Sequence, residues 1–187
     1  MAAGRRLFAD HGYEQVSAEQ IAAAAGVTRG GLYHHYRDKR ALFRAVVDDL
    51  EADVTGEMVQ TVEAAPDAQS AMLTALSAYL DICQRPDVAR TLLSEAPAVL
   101  GWQTWRTIER EHGLGLVTRL LDMTTRDRPA DVAVPLLAQL VLAAVIEAAL
   151  LVAHADDPAA ARTQAESALL TLLDGLLPPT DPDTCPT

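Results

Sequence analysis

Two adjacent glycines, Gly30 and Gly31, sit inside a stretch that otherwise reads as a short helix, and Lys39, the only lysine of the chain, opens the next one. Each glycine costs a helix about 1 kcal/mol against Ala, so the pair needs a reason. A helix that brings its backbone close to DNA gains from lacking side chains there. A helix that must clear a neighbour inside the protein gains in the same way. Lys39 places a cation at the positive end of a helix macrodipole. A DNA phosphate there would reverse the sign, taking both the ammonium and the free backbone N–H groups; the alternative is a solvated surface lysine.

A second set of residues suggests a pocket. Trp102 and Trp105, the only tryptophans, lie on one helical face and could line a cavity with Met72, Leu76, Tyr79 and Cys83, or fill ordinary core. Glu147 is an isolated acid in an apolar run, costly to bury unpaired. It could pair with Arg106 or Arg110, line a pocket for a cation, hydrogen-bond between two copies, or stay exposed. His112 and His154 read as surface or satisfied side chains. No catalytic triad and no metal-ligand spacing emerges, so catalytic residues, metals and cofactors are all expected to be none.

Helices must position these groups. Apolar spacing and stop residues predict helices over about 2–11, 17–25, 28–36, 39–62, 68–84, 87–95, 102–123, 131–155 and 158–177. Ser17-Ala18-Glu19-Gln20 reads as a capping box. Gly12 and Gly26 act as stops, Asp38 caps the fourth helix, and Pro97 is expected to end the sixth. Residues 17–36 form two short helices joined by a tight turn at Gly26, where positive φ is needed. Ile21, Ala22, Ala25, Val27 and Leu32 are spaced to pack them on each other and on Leu7 and Phe8. That leaves the outer face of the third helix free for a major groove. The fold class is all-α: a helix-turn-helix head over 1–46, a helical body over 47–177, and a disordered tail over 178–187.

Charge supports the same division. The 187 residues carry a net charge of −11, which argues against a non-specific polyanion binder. Residues 1–44 nevertheless hold seven basic and four acidic groups, a small basic head on an acidic body. Two distant cysteines suggest no disulfide framework and fit a reducing cytoplasm. The start, MAAGRRLFADHGY, has no apolar leader segment. Residues 132–155 are long and apolar enough for a membrane span, but Pro135, Gln139 and Glu147 interrupt them. They read as a helix buried on several faces, with no membrane partner.

The stretch GRRLFADHGYEQVSAEQIAAAAGVTRGGLYHHYRDKRALFRAVV strongly resembles the DNA-binding domain of the TetR family of regulators over about residues 4–50. The order and spacing of LF, HGY, Ser, IA, AGV, Gly, LYHHY, Lys and Leu are all present. The resemblance implies that Arg29, Gly30 and Gly31 face base edges, and of these only Arg29 can make a bidentate contact to guanine. It implies phosphate contacts from Tyr33, His34, His35 and Lys39, and capping with backbone contact from Ser17 and Thr28. Tyr36 stands where the family usually has Phe and reads as core. Family members usually carry several more residues, often basic, before this point, so contacts from an N-terminal arm are left open.

The resemblance also implies a homodimer on double-stranded operator DNA, with Leu137, Leu140, Val141, Val145, Leu169, Leu173 and Leu176 in a four-helix seam. It implies a repressor released by a small-molecule effector of unknown identity. The pocket residues, with Arg106 and Glu147, are the candidates to hold that effector. The competing readings are a dimeric helical protein whose cavity is enzymatic, or one whose head binds protein.

Overall fold

Short polar side chains open the helices. Ser17 Oγ accepts from the Gln20 N–H at 3.2 Å while Gln20 Oε1 takes the Ser17 N–H at 2.7 Å, a reciprocal capping box. Thr28, Asp38 and Asp67 each accept from the N–H three residues on, at 3.0, 2.7 and 2.8 Å. Each such cap is worth about 1 kcal/mol. Gly12, Gly26 and Gly101 take positive φ at the stops.

The computed structural model describes residues 1–124 and 133–176, and these form nine helices and no strand. They are α1 (Ala2–His11), α2 (Ala18–Ala24), α3 (Arg29–His35), α4 (Lys39–Glu63), α5 (Ala68–Ile82), α6 (residues 86–100), α7 (Trp102–Thr124), α8 (Val134–Ala153) and α9 (Pro158–Leu176). The expected tail over 178–187, and the side chain of Leu176, lie outside the described residues.

In α6 the expected stop at Pro97 does not occur. Pro86–Val88 and Ala96–Leu100 are α-helical, and Ala89–Glu95 between them is wound as a π-helix. Proline has no N–H to donate. Here it falls in the first turn after the wider π segment, where a missing donor is tolerated. Gly101, at φ 83°, ends the helix instead.

The head buries Phe8, Ile21, Ala22, Leu32, Leu42, Phe43 and Val46, with the Phe8 and Phe43 rings edge to face at 5.0 Å. Val27 and Ala25 were expected in this core. Both are exposed, Val27 to 48%, because the turn at Gly26 carries the chain outward before α3 begins. Tyr36 is half-buried, with its hydroxyl 3.2 Å from Met1 Sδ. The expected division after residue 46 falls inside α4, which runs unbroken from head to body.

Both ends of α6 grip the head. Arg90 donates to the carbonyls of Ala9 and Asp10 at the end of α1, both at 2.8 Å. At the other end Arg40, in the first turn of α4, donates to the carbonyls of Val99 and Leu100 at 2.9 and 2.7 Å.

In the body α8 packs on α7 and α9, burying Ala138, Val141, Leu142, Ile146, Ala149 and Val152. Its other side is bare: Leu136, Leu140 and Leu151 are 59%, 61% and 62% exposed. Burial on several faces is therefore not achieved within one chain, and by length and composition alone the helix could cross a membrane. The seam expected between copies needs a parallel correction. Val141, Leu169 and Leu173 are 8%, 5% and 6% exposed and face the interior of their own chain, because that side of α8 and α9 closes the body. Val145 lines an internal cavity, Leu137 is half-buried, and Leu140 faces outward.

Candidate DNA-reading surface and body cavity

The outer face of α3 is open. Arg29, Gly30, His34 and His35 are exposed, and Tyr33 is half-buried against the head core. A Cβ added at Gly30 would meet only Thr28 Oγ1, at 3.9 Å, and at Gly31 the same atom at 3.3 Å. Neither glycine therefore clears a neighbouring helix. Their bareness is turned to the outside, where a partner backbone can approach.

Ser17 and Thr28 cap α2 and α3 through their oxygens; the Ser17 hydroxyl also donates to the Glu19 carboxylate, and the Thr28 hydroxyl hydrogen is left to donate outward. Arg29 is held from two sides: Nη1 is 2.8 Å from Glu19 Oε1, and the guanidinium stands 5.4 Å over the Tyr33 ring. Glu19 was not singled out in the sequence, although its place in the first turn of α2, ten residues before Arg29, is visible there. Its carboxyl is held below the usual range by a backbone N–H and by Arg29. Lys39 lies with its ammonium 4.1 Å from the centre of the Tyr13 ring, a cation–π contact at the start of α4.

In the body a cavity of about 640 Å³, including its open mouth, is almost wholly apolar. Val54 and Met58 of α4, Met72 and Leu76 of α5, Val117 of α7 and Leu142 of α8 form much of its wall. Of the expected pocket residues, Met72, Leu76 and Tyr79 are there. Cys83 sits one turn behind Tyr79, its thiol in hydrogen-bond contact with the phenol. Burial pushes both groups well above their ordinary range, so both stay neutral.

The tryptophans are not at the cavity. Trp105 is wholly buried in the core, with Trp102 at 5.0 Å between ring centres; Trp102 itself is 54% exposed. Arg106 lies 6.0 Å over the Trp102 ring, away from the cavity. Glu147 is exposed, in a surface groove with Trp102, Leu151 and His154, which is the last of the four alternatives its sequence position left open.

The buried acids are two others, Glu51 and Glu109, at 6% and 4% exposure. Their signal was present: Glu51 stands between Val47 and Val54 on the buried stripe of α4, and Glu109 follows Trp105 by one turn. His112, on the same helix, bonds Asp48 at 2.9 Å and holds α7 against α4. Among the described residues no group of acidic, His or Cys side chains could hold a metal.

Comparison with known proteins accounts for the whole arrangement. Residues 1–46 match the model of bacterial regulatory proteins of the tetR family, and residues 69–176 match that of a tetracyclin repressor-like C-terminal domain. An HTH-type transcriptional repressor of Mycobacterium tuberculosis is 32% identical over 99 residues, 52% of this chain and 51% of that protein. The TetC protein of transposon Tn10 in Escherichia coli is 27% identical over 63% of this chain and 59% of its own length. The chain thus spans only about half to three fifths of these curated relatives. Among solved structures, a TetR-family transcriptional regulator of Pectobacterium atrosepticum superposes with a TM-score of 0.84 at 32% identity, covering 96% of this chain and 93% of that one. RolR bound to resorcinol shares the fold at 17% identity and a TM-score of 0.70, over 91% of this chain and 83% of its own. With head and body each matched, and one relative aligned over nearly its full length, the chain belongs to the TetR family of transcriptional regulators.

Proposed function

We propose that this chain is a homodimeric repressor that binds operator DNA through α3 and is released by a small apolar effector held in the body cavity. The observation that carries this reading is the bare outer face of α3, with Gly30 and Gly31 open and Arg29 pre-positioned, on a head joined to the cavity by the unbroken helix α4. One such helix reads few base pairs, and two must sit about 34–36 Å apart or a multiple of it. The exposed Leu136, Leu140 and Leu151 of α8, with Leu172 of α9, give a second copy its apolar surface.

Control follows from linkage. An effector that binds the released form better than the operator-bound form lowers DNA affinity, and DNA lowers effector affinity by the same factor. α4 carries Lys39 at one end and cavity-lining Val54 and Met58 further along, so one helix feels both ligands. The apolar lining favours a hydrophobic effector over a sugar or nucleotide. Such a role belongs in the cytoplasm.

Selection of duplex from a random pool by the purified chain tests the reading. The expected product is a two-fold related pair of half-sites, bound with an affinity that falls steeply as salt rises. No enrichment at low ionic strength would overturn it.

A further inference from the structure

Glu19 stands in the first turn of α2, just past the cap Ser17. Its carboxylate accepts its own backbone N–H and the Ser17 hydroxyl, so it is fixed to the helix end instead of swinging on a free side chain. The capping box that ties Ser17 to Gln20 holds the same turn. An acid at the start of a helix also meets the positive end of the macrodipole.

From that anchor Glu19 Oε1 reaches Arg29 Nη1 at 2.8 Å. Tyr33, one turn further along α3, lies under the guanidinium at 5.4 Å. A guanidinium carries five N–H groups in one fixed plane. Here Nη1 is turned to the acid and one face rests on the ring. The Nε–Nη2 edge meets no partner among the described residues. That edge is a pair of parallel donors. In the major groove only guanine answers it with two acceptors, N7 and O6.

The bridge does little for the fold. Arg29 and Glu19 are 65% and 53% exposed, and water screens such pairs. Its effect belongs to the complex with DNA. There water leaves the interface and the attraction between the two charges grows. A side chain already held in one geometry loses less freedom on binding than one that must first be ordered. The same carboxylate is a negative charge on the face that meets phosphates, and it opposes the approach of a duplex whatever its sequence.

We propose that Glu19 is a positioning residue for base reading, which presents Arg29 to a guanine while weakening the hold on DNA of every sequence. This rests on Arg29 reading a base from the open face of α3.

Glu19→Ala keeps Ser17 and Gln20, and with them the cap, and alanine suits a helix, so the head should fold. Binding of the purified full chain is measured at fixed salt to three duplexes: the selected site, the same site with the guanine replaced at the position that Arg29→Ala relaxes, and a scrambled sequence. The wild type should prefer the guanine by about 5–150-fold. Glu19→Ala should cut that preference at least threefold, yet bind scrambled duplex at least twofold tighter. Glu19→Gln, an uncharged acceptor, should match it on scrambled duplex and keep more of the preference. In an Arg29→Ala background, Glu19→Ala should leave the preference where it is, because no guanidinium remains to be placed.

An unchanged preference in Glu19→Ala overturns the proposal. So does a sharper one, since the acid would then be withholding Arg29. Weaker binding of scrambled duplex overturns it too, because a head that is merely destabilised loses all sequences together. Relaxed preference in Arg29→Ala with none in Glu19→Ala sinks the role of Glu19 alone. An Arg29→Ala protein with unchanged preference at every position removes base reading by Arg29, and this inference with it.

Discussion

The carboxylate of Glu95, the last residue of the π-helical segment, accepts the backbone N–H of Tyr13 with both oxygens, each at 2.9 Å. This closes a chain of contacts from body to head. Glu95 holds the backbone of Tyr13, the Tyr13 ring carries the Lys39 ammonium, and Lys39 starts α4. The neighbouring Gly12 makes the approach possible. At φ 82° and ψ 163° it takes an extended positive-φ conformation essentially reserved for glycine, which costs other residues about 1–3 kcal/mol, and a Cβ there would lie 2.6 Å from Glu95 Oε1. Gly12→Ala should therefore lower unfolding stability by about that strain or more. Glu95→Ala, which strands the Tyr13 N–H, should cost about 1–3 kcal/mol. Urea unfolding checks both, and a loss within error for each would mean that the head does not depend on this contact.

Arg29 and Lys39 should fail in different ways. Arg29→Ala removes the one long donor on the open face of α3, so it should relax sequence preference at one position of each half-site, by about 1–3 kcal/mol. Lys39→Ala should weaken all sequences alike and lower the salt slope by about one per head. Binding to the selected site and to scrambled duplex, measured across salt, distinguishes them. An Arg29→Ala protein with unchanged preference would move base reading to another residue.

The α3 face and the division into short capped helices were legible in the sequence because both are local. A capping box needs four residues, a helix such as α3 seven, and no neighbouring helix crowds Gly30 or Gly31. The cavity was legible only in part. Met72, Leu76 and Tyr79 follow one another at helical spacing on α5, so finding one finds the others. Whether Trp102 or Glu147 joins them depends on how α7 and α8 rotate against α5, and no pattern within a single helix fixes that. Val141 and Leu173 could be read as seam or interior for the same reason: α8 and α9 carry apolar residues on more than one face. Glu51 and Glu109 escaped notice because an acid on an apolar stripe looks like an interruption until its partner on another helix is known.

The outward leucines of α8 should decide assembly. Leu140 is 61% exposed, between Leu136 and Leu151 on the bare side of that helix. Leu140→Asp should leave the fold intact, since the side chain touches little within its own chain, and shift sedimentation from dimer to monomer. Operator affinity should fall with it, because two reading heads are then no longer tethered. A dimer that persists would place the seam elsewhere. Leu173→Asp makes a useful contrast. That residue is 6% exposed and lines the cavity, so the expected result is loss of folding rather than a clean monomer.

The Glu51–Glu109 pair should make stability fall as pH rises. Glu51 is raised well above its ordinary value in the folded chain, by burial first and then by the charge of Glu109. In the unfolded chain it ionises near the ordinary carboxylate range, about pH 4.3. Below that range both states hold the proton and the group has no effect on the slope. Above it the unfolded state releases the proton while the folded state keeps it, so the unfolded state gains in relative stability until the folded value is passed. Glu51→Gln supplies the same donor to Glu109 without a titrating proton. The variant should match the wild type near pH 4 and become progressively more stable than it toward pH 8, in unfolding curves taken at each pH. Other carboxylates, such as Asp67, whose range is lowered by its cap bonds to Ser70, slope the opposite way, but they are present in both proteins and cancel in the difference. A difference between variant and wild type that stays flat across this range would mean that Glu51 is ionised in the folded chain, and that the proton shared with Glu109 is not there.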